Sequence, residues 1–174
     1  MEEPVPRSSR PILLVGMPGS GKSTIGPLLA ERLGLPFHDC DTMIEARLGM
    51  SVAQVFARLG EARFRTEEKR VIATLLEAEP AVIAAGGGAF LDPEIREAAL
   101  RRAVPVWLDA GLATLAKRLR GAEERPLLAG RDALAAMKAE RDPVYALAPV
   151  RVDSARPPGE VVEAIAAALA EPAR

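Results

Sequence analysis

Residues 16–23 have the composition and spacing of a phosphate-binding loop. They read Gly-Met-Pro-Gly-Ser-Gly-Lys-Ser, which fits the pattern GxxxxGK[ST] after an apolar strand and before a helix. The glycines let backbone N–H groups turn toward phosphate oxygens, Lys22 can reach the terminal phosphates, and Ser23 offers a hydroxyl to magnesium. The alternative is a glycine-rich turn without a ligand, which the strand-loop-helix context disfavours. The segment therefore predicts a nucleoside triphosphate site.

Two aspartates, Asp39 and Asp41, follow the next predicted strand. In open α/β folds ligands bind beyond the carboxyl ends of the strands, so both carboxylates should lie beside the phosphate loop. One could order magnesium, and the other could accept a proton or hydrogen bond from an acceptor hydroxyl. In the alternative interpretation they form an acidic helix start, with Asp41 capping a helix that begins near Met43. Cys40 between them is expected to be inert, because a metal site would need further ligands.

A charged helix face and a glycine triplet are further candidates. Glu61, Arg65 and Glu68 share one helical face. They could hold Arg65 as a fork for a planar anion, or form a solvated ladder of ion pairs, and the pattern alone favours the ladder. Residues 86–88 are all glycine and follow the third predicted strand. They either let the backbone approach a ligand or simply end the strand.

An arginine-rich segment at about 120–132 has little apolar periodicity, and we expect it to be a lid that excludes water from the transferring phosphate. The alternative is an ordinary basic loop. The arginines in and around it are Arg118, Arg120, Arg125, Arg131 and Arg141. The run VPVWLD at 104–109 imitates a second magnesium-binding element. Since Asp39 is the better-placed candidate, Asp109 is interpreted as a loop or capping residue.

The elements that must position these residues alternate between short apolar runs and longer stretches of helical period, a pattern typical of a parallel sheet covered on both faces. The predicted strands are 12–15, 35–38, 81–85, 104–108 and 149–152. The predicted helices are 21–33, 51–77, 93–102, 112–119 and 158–169. The connection 39–80 is too long for a simple crossover and predicts a small helical insert. We therefore expect one α/β domain over residues 1–174.

Composition excludes several classes of protein. The 174 residues carry a net charge of −1, so a general polyanion binder is not indicated. Aromatic residues make up 3%, which disfavours base stacking with nucleic acid. The single cysteine excludes an internal disulfide. No signal-like or membrane-spanning apolar run is present, so the expected location is the cytoplasm, without membrane or nucleic-acid partners.

Taken together, these motifs resemble the shikimate kinase family, small P-loop kinases of chorismate and aromatic amino-acid biosynthesis. The resemblance covers nearly the whole chain. Its motifs are GMPGSGKST at 16–24, FHDCD at 37–41, GEARFRTEE at 60–68, GGG at 86–88, RPLLAG at 125–130, ERDPVY at 140–145 and RVD at 151–153. It implies a P-loop NTPase-type three-layer fold with a five-stranded parallel sheet, a substrate-binding insert at about 41–70 and a lid at about 120–132. It also implies a monomer.

The implied reaction is transfer of the γ-phosphoryl group of ATP to the 3-hydroxyl of shikimate, giving shikimate 3-phosphate and ADP. On the nucleotide side, the resemblance implies that Lys22 contacts the β- and γ-phosphates of ATP. It also implies that Ser23 and Asp39 bind the magnesium ion. Arg125 would close from the lid onto the phosphates. The residues implied to bind ATP are Gly19, Ser20, Gly21, Lys22, Ser23, Thr24, Arg118, Arg125 and Arg156, with Arg118 and Arg156 flanking adenine.

On the acceptor side, the resemblance implies that Asp41 binds the ring hydroxyls and is the candidate base. Arg65 and Arg141 would bind the shikimate carboxylate, and the Gly87 N–H would donate to the substrate. Asp41, Lys22 and Arg125 are thus the implied catalytic residues.

The chain departs from the family pattern at two prolines, and two other functions stay open. Pro27 lies inside the phosphate-loop helix and predicts a bend there, and Pro157 stiffens the loop beside Arg156. The alternatives are another small-molecule kinase, acting on gluconate or a nucleotide, and a nucleotide-binding module without transfer activity. Retention of the acceptor-side aspartate and arginines argues against the last.

Overall fold

Five parallel strands form one sheet in the order β2-β3-β1-β4-β5. A computed structural model describes residues 9–120 and 130–171. The strands are β1 (Ile12–Val15), β2 (Phe37–Asp39), β3 (Val82–Ala84), β4 (Val104–Asp109) and β5 (Val150–Asp153). The helices are α1 (Lys22–Leu33), α2 (Cys40–Leu48), α3 (Val52–Leu59), α4 (Glu61–Glu77), α5 (Pro93–Arg102), α6 (Leu112–Leu119), α7 (Gly130–Tyr145) and α8 (Pro158–Ala170), with a 3₁₀ turn at Ala89–Leu91.

The central strand β1 is buried on both faces and divides the core in two. Leu13 and Val15 face a cluster that includes side chains of α4 and α5. Ile12 and Leu14 face the opposite cluster, to which α1 and α8 contribute. Alternate residues of a strand point to opposite faces, so a strand covered on both sides must be apolar throughout. The predicted three-layer α/β fold is confirmed.

The register brings the candidate residues to one edge of the sheet. Leu14 of β1 pairs with Ala84 of β3, and Ala84 pairs in turn with Asp39 of β2. The phosphate loop, the glycine triplet and Asp39 therefore leave neighbouring parallel strands at the same end. The strand order also reverses at β1, whose two neighbours come from later parts of the chain, and such a switch point opens a crevice for a ligand.

Several predicted boundaries were wrong. The helix predicted over 51–77 is two helices, because Gly60 has φ 83° and ψ 165° and separates α3 from α4. The second strand lies at Phe37–Asp39, two residues later at its start than predicted, and α2 follows it without an intervening residue.

Pro27 lies inside α1, which runs without interruption from Lys22 to Leu33. Within the described residues, no helix is long and apolar enough to cross a membrane.

Candidate active site

The phosphate loop connects β1 to α1 and closes around the amine of Lys22. Lys22 Nζ donates to the carbonyl oxygens of Gly16 at 2.7 Å and Met17 at 2.9 Å, and the side chain is largely buried. Gly19 and Gly21 have φ of 82° and 104°, values that favour glycine. Helix α1 begins at Lys22 with no side-chain cap, so the positive end of its dipole faces the cleft and suits an anion.

Ser23 and Asp39 form a pair of oxygen donors beside this loop. The Ser23 hydroxyl donates to Asp39 Oδ2 at 3.0 Å. The other oxygen, Asp39 Oδ1, accepts the N–H of Thr42 at 3.2 Å and caps α2. The interpretation of Asp41 as the helix cap was therefore wrong, since the helix starts earlier, at Cys40. A hydroxyl and a carboxylate fit magnesium, which takes few protein ligands and completes its shell with water and phosphate.

The glycine triplet lets charged side chains from three helices approach the backbone. A Cβ on Gly86 would lie 2.4 Å from Glu68 Oε2 and 3.4 Å from Asp41 Oδ1. A Cβ on Gly88 would lie 2.7 Å from Arg65 Nη2. The triplet is thus needed for close approach, and the alternative that it merely ends the strand does not account for these distances.

Arg65 is held between two carboxylates, as the helical spacing predicts. Its Nη1 donates to Glu68 Oε1 at 2.9 Å, and its Nη2 to Glu61 Oε1 at 3.4 Å. The Glu68 side chain is 1% exposed, so this arrangement is not a solvated ladder. Its position against Gly88 places the guanidinium at the end of β3. Arg65 is therefore held against the glycine triplet by one buried and one exposed carboxylate, and its role in binding an anion stays a prediction.

Glu68 has a larger part in the site than its spacing indicated. Burial raises the pKa of its carboxyl, Arg65 opposes the rise, and the negative charge of Asp41 adds to it. Its Oε2 is buried and accepts no hydrogen bond from the described residues. The sequence placed Glu68 beside Arg65 but gave no signal that it also touches the glycine triplet.

Arg141 and Tyr145 approach the same triplet from α7. A Cβ on Gly87 would lie 3.3 Å from Arg141 Nη1. The hydroxyl of Tyr145, which is fully buried, donates to the Gly87 carbonyl oxygen. Burial raises the pKa of this hydroxyl, and the positive charge of Arg141 partly offsets the rise. Tyr145 was predicted only as part of a motif, yet it fixes the backbone that Arg141 approaches.

The helices of the insert are tied together by Glu67, which the sequence analysis missed. Its side chain is 3% exposed and accepts from Arg47 of α2 at 3.2 Å and from Arg63 at 3.3 Å. Arg70 adds a third contact at 3.5 Å. A carboxylate is costly to bury unless it is paired. These contacts fix α2, which carries the acceptor-side aspartate, against α4.

Arg118 and Arg156 lie at the far side of the cleft. Arg118 donates to the carbonyl oxygens of Gly19 at 3.1 Å and Ser154 at 2.7 Å. Arg156 is exposed and contacts Glu160 at 3.7 Å. The cleft has a volume of about 420 Å³. Its lining includes Gly19, Gly21, Lys22, Ser23, Thr24, Asp39, Asp41, Gly86, Gly87, Arg118 and Arg156.

Three predicted residues stand apart from this lining. Arg65 and Arg141 do not line the cleft but reach the glycine triplet beside it. Ser20, within the phosphate loop, is fully buried. Arg125 and the centre of the predicted lid lie outside the described residues.

Two other predictions concern Asp109 and Cys40. Asp109 is the last residue of β4 and pairs with Arg151 at 2.6 Å, so its interpretation as a loop or capping residue was wrong. Cys40 is fully buried, and burial raises the pKa of its thiol well above the usual value. A thiol that stays protonated is a poor nucleophile, in agreement with an inert Cys40.

The parallel sheet, the phosphate loop at its switch point and the converging charges define a P-loop phosphotransferase. The family model for shikimate kinase matches residues 18–170. A shikimate kinase of Zymomonas mobilis is 44% identical over 97% of this chain and 98% of its own, and one of Caulobacter vibrioides is 46% identical over 94% of this chain and 84% of its own. The chain belongs to the shikimate kinase family.

Solved structures agree with this assignment. A shikimate kinase from Acinetobacter baumannii in complex with shikimate superposes with a TM-score of 0.86 at 32% identity, over 91% of this chain and 92% of that one. A gluconokinase from Sinorhizobium meliloti superposes with a TM-score of 0.65 at 24% identity, over 94% of this chain and 93% of that one. The second match shows a shared fold alone.

Proposed function

We propose that this protein transfers the γ-phosphoryl group of ATP to the 3-hydroxyl of shikimate, giving ADP and shikimate 3-phosphate. The observation that carries the proposal is the convergence of Asp41, Arg65 and Arg141 on the glycine triplet beside the phosphate loop. One carboxylate suits the hydroxyls of an acceptor, and two guanidinium groups suit its carboxylate. Shikimate carries both kinds of group.

On the nucleotide side, the phosphates of ATP occupy the loop between β1 and α1. Lys22 exchanges its contacts with the Gly16 and Met17 carbonyls for oxygens of the β- and γ-phosphates, which its flexible stem permits. Ser23 and Asp39 hold magnesium, Asp39 largely through water. When bound there, the ion would supply positive charge beside the phosphates. Arg118 and Arg156 flank the adenine.

On the acceptor side, Arg65 and Arg141 bind the carboxylate and orient the ring. The Gly87 N–H donates a hydrogen bond to the substrate. Asp41 accepts hydrogen bonds from the ring hydroxyls and is placed to take the proton of the attacking one. Phosphoryl transfer depends chiefly on positioning and charge stabilisation, so fixed donors on both sides of the transferring group account for the catalysis.

A lid at about 120–132 completes the proposed site by bringing Arg125 onto the phosphates. Exclusion of water would prevent hydrolysis of ATP when no acceptor is bound. The substrate-binding insert at about 41–70 supplies Asp41 and Arg65. A monomer in the cytoplasm, as predicted from the sequence, would contain every residue that this scheme requires.

A coupled assay of ADP release tests the proposal. Purified protein receives ATP and magnesium with shikimate, gluconate or a nucleoside monophosphate, and the product is identified by mass spectrometry. We expect release with shikimate alone. Release only with gluconate or a monophosphate would assign a different acceptor, and release with none would indicate a nucleotide-binding module without transfer activity.

A further inference from the structure

Three arginines surround one carboxylate, that of Glu67, where α2 meets α4. Glu67 Oε1 accepts from Arg63 Nε at 3.3 Å and from Arg70 Nη1 at 3.5 Å. Glu67 Oε2 accepts from Arg47 Nε at 3.2 Å. We call these four residues the Glu67 cluster. None of them lines the cleft, and the proposed phosphoryl transfer gives them no direct part.

The Glu67 cluster carries an excess of positive charge. Burial opposes ionisation of Glu67, but the hydrogen bond from Arg47 and the positive charges of the cluster outweigh it, so the pKa of the carboxyl lies below its ordinary value. Glu67 is therefore ionised at neutral pH, as arginine always is in proteins. Over residues 9–120 and 130–171, no second carboxylate forms an ion pair with these arginines. Three positive charges against one negative charge leave two positive charges unbalanced.

The guanidinium groups also keep hydrogen-bond donors for a ligand. Each guanidinium has five N–H donors in a planar fork, and each of the three makes a single contact with Glu67. The arginine side chains are 50, 50 and 58% exposed, whereas that of Glu67 is 3% exposed. An anion that approaches from solvent therefore meets the guanidinium groups and not the carboxylate.

Other surface ion pairs of the chain differ from the Glu67 cluster in their balance of charge. Arg101 pairs with Glu97 at 2.8 Å, and Arg102 pairs with Glu77 at 2.6 Å. Each of these pairs joins one cation to one anion, as is common on protein surfaces. The Glu67 cluster instead gathers three guanidinium forks around one carboxyl group, and such forks match the oxygens of a phosphate group.

We propose that Arg47, Arg63 and Arg70 form a second anion site, which binds a phosphate group outside the cleft. A phosphate group carries about −1.5 to −2 charges at neutral pH, which offsets the unbalanced charge of the cluster. Arg47 belongs to α2, whereas the other two arginines belong to α4, so a bound phosphate joins the two helices. The inference goes beyond the proposed function and does not depend on the identity of the acceptor.

Isothermal titration calorimetry with inorganic phosphate tests the proposal. The protein is first saturated with magnesium, a non-hydrolysable analogue of ATP and shikimate, so that the phosphate loop and the acceptor side are occupied. We expect wild type to bind one further phosphate. Arg47→Gln and Arg70→Gln should each weaken this binding by about tenfold, because each removes one charge-assisted contact. Arg47→Lys keeps the charge and should weaken it less than Arg47→Gln.

Arg101→Gln is the matched control, because it removes an exposed arginine that has one carboxylate to itself. Its affinity for phosphate should equal that of wild type, and circular dichroism should show that every variant is folded. Equal weakening in Arg101→Gln would show a general effect of net charge and would overturn the inference.

Two other results would also overturn it. If wild type bound no further phosphate, or if Arg47→Gln and Arg70→Gln bound it as tightly as wild type, the cluster would be only a solvated network of ion pairs. A parallel titration with methyl phosphate distinguishes the source of the phosphate group. Equal binding of both probes would support a site for phosphate monoesters, and binding of inorganic phosphate alone would support a site for the free anion.

Discussion

Gly88→Ala should damage acceptor binding while leaving the fold intact. Gly88 has φ −92° and ψ −7°, a conformation open to alanine, so the backbone is not strained. The new methyl carbon would lie 2.7, 2.8 and 2.9 Å from Nη2, Nη1 and Cζ of Arg65. Ordinary non-bonded contacts need about 3.5 Å. The guanidinium, as the end of a flexible side chain, must retreat by about 0.8 Å.

This retreat breaks the geometry that orients Arg65. The bond from Nη1 to Glu68 Oε1 is 2.9 Å long and cannot stay short when the group moves away from the triplet. A hydrogen bond to a charged group contributes about 1.5–3 kcal/mol, which corresponds to about a 10- to 150-fold rise in the KM for shikimate. At compatible positions, alanine also lowers the entropy of the unfolded chain and stabilises by about 0.4–1 kcal/mol.

Steady-state kinetics with each substrate varied in turn, together with thermal unfolding, checks this prediction. The KM for ATP should stay near wild type, and the unfolding midpoint should fall by about a few degrees, because the weakened hydrogen bond costs more than the alanine gains. Gly111→Ala is the control, because Gly111 has φ −64° and nothing lies within 4 Å of its added Cβ. An unchanged KM for shikimate in Gly88→Ala would refute the assignment of Arg65 to the acceptor carboxylate. A large fall in the unfolding midpoint would refute the argument that only the Arg65 side chain moves to make room for the new methyl group.

Three further predictions follow from charges and hydrogen bonds in the site. Lys22→Met should lower kcat by about a thousandfold, because a charge on the transferring group is lost, with unchanged circular dichroism; near-normal turnover would remove its role. Tyr145→Phe should raise the KM for shikimate and reduce the free energy of unfolding in urea by about 1–3 kcal/mol, since the Gly87 carbonyl loses its donor; unchanged values of both would contradict the role of this bond. The pKa of Glu68 is raised in the folded state, so folded protein keeps the Glu68 proton to higher pH than unfolded protein does. Protonation of Glu68 therefore stabilises the fold. This stabilisation is fully present below the unfolded pKa of about 4.3 and is lost as pH rises through the raised pKa of the folded state. Glu68→Gln should flatten that part of a pH series of urea unfolding curves, and an unaltered series would show that Glu68 does not titrate there.

The sheet and the phosphate loop could be predicted from the sequence because their signals are local. An apolar run of four residues followed by GxxxxGK[ST] leaves little freedom in where β1 ends and α1 begins. The break at Gly60 was missed because apolar periodicity runs across it, and only the backbone conformation of one residue separates α3 from α4.

The acceptor side was harder to predict because its contacts join distant segments. The i, i+3 spacing of Arg65 and Glu68 indicates a contact within α4, but nothing in that spacing shows that Glu68 is buried against Gly86. Tyr145 lies 58 residues along the chain from Gly87, to whose carbonyl it donates. Without the family resemblance, such pairs have no signal in a single sequence, since burial and partner choice are settled by how the helices pack on the sheet.

The junction between β2 and α2 also limits which changes in chain length the protein can tolerate. The strand ends at Asp39 and the helix begins at Cys40, so the chain has no spare residue there. One inserted residue would turn α2 by about 100° relative to the strand and would carry Asp41 off the face that meets the cleft. Natural insertions and deletions, and any engineered graft, should therefore avoid this joint. The exposed turn that begins at Gly49, between α2 and α3, is a more permissive place to change the length of the insert.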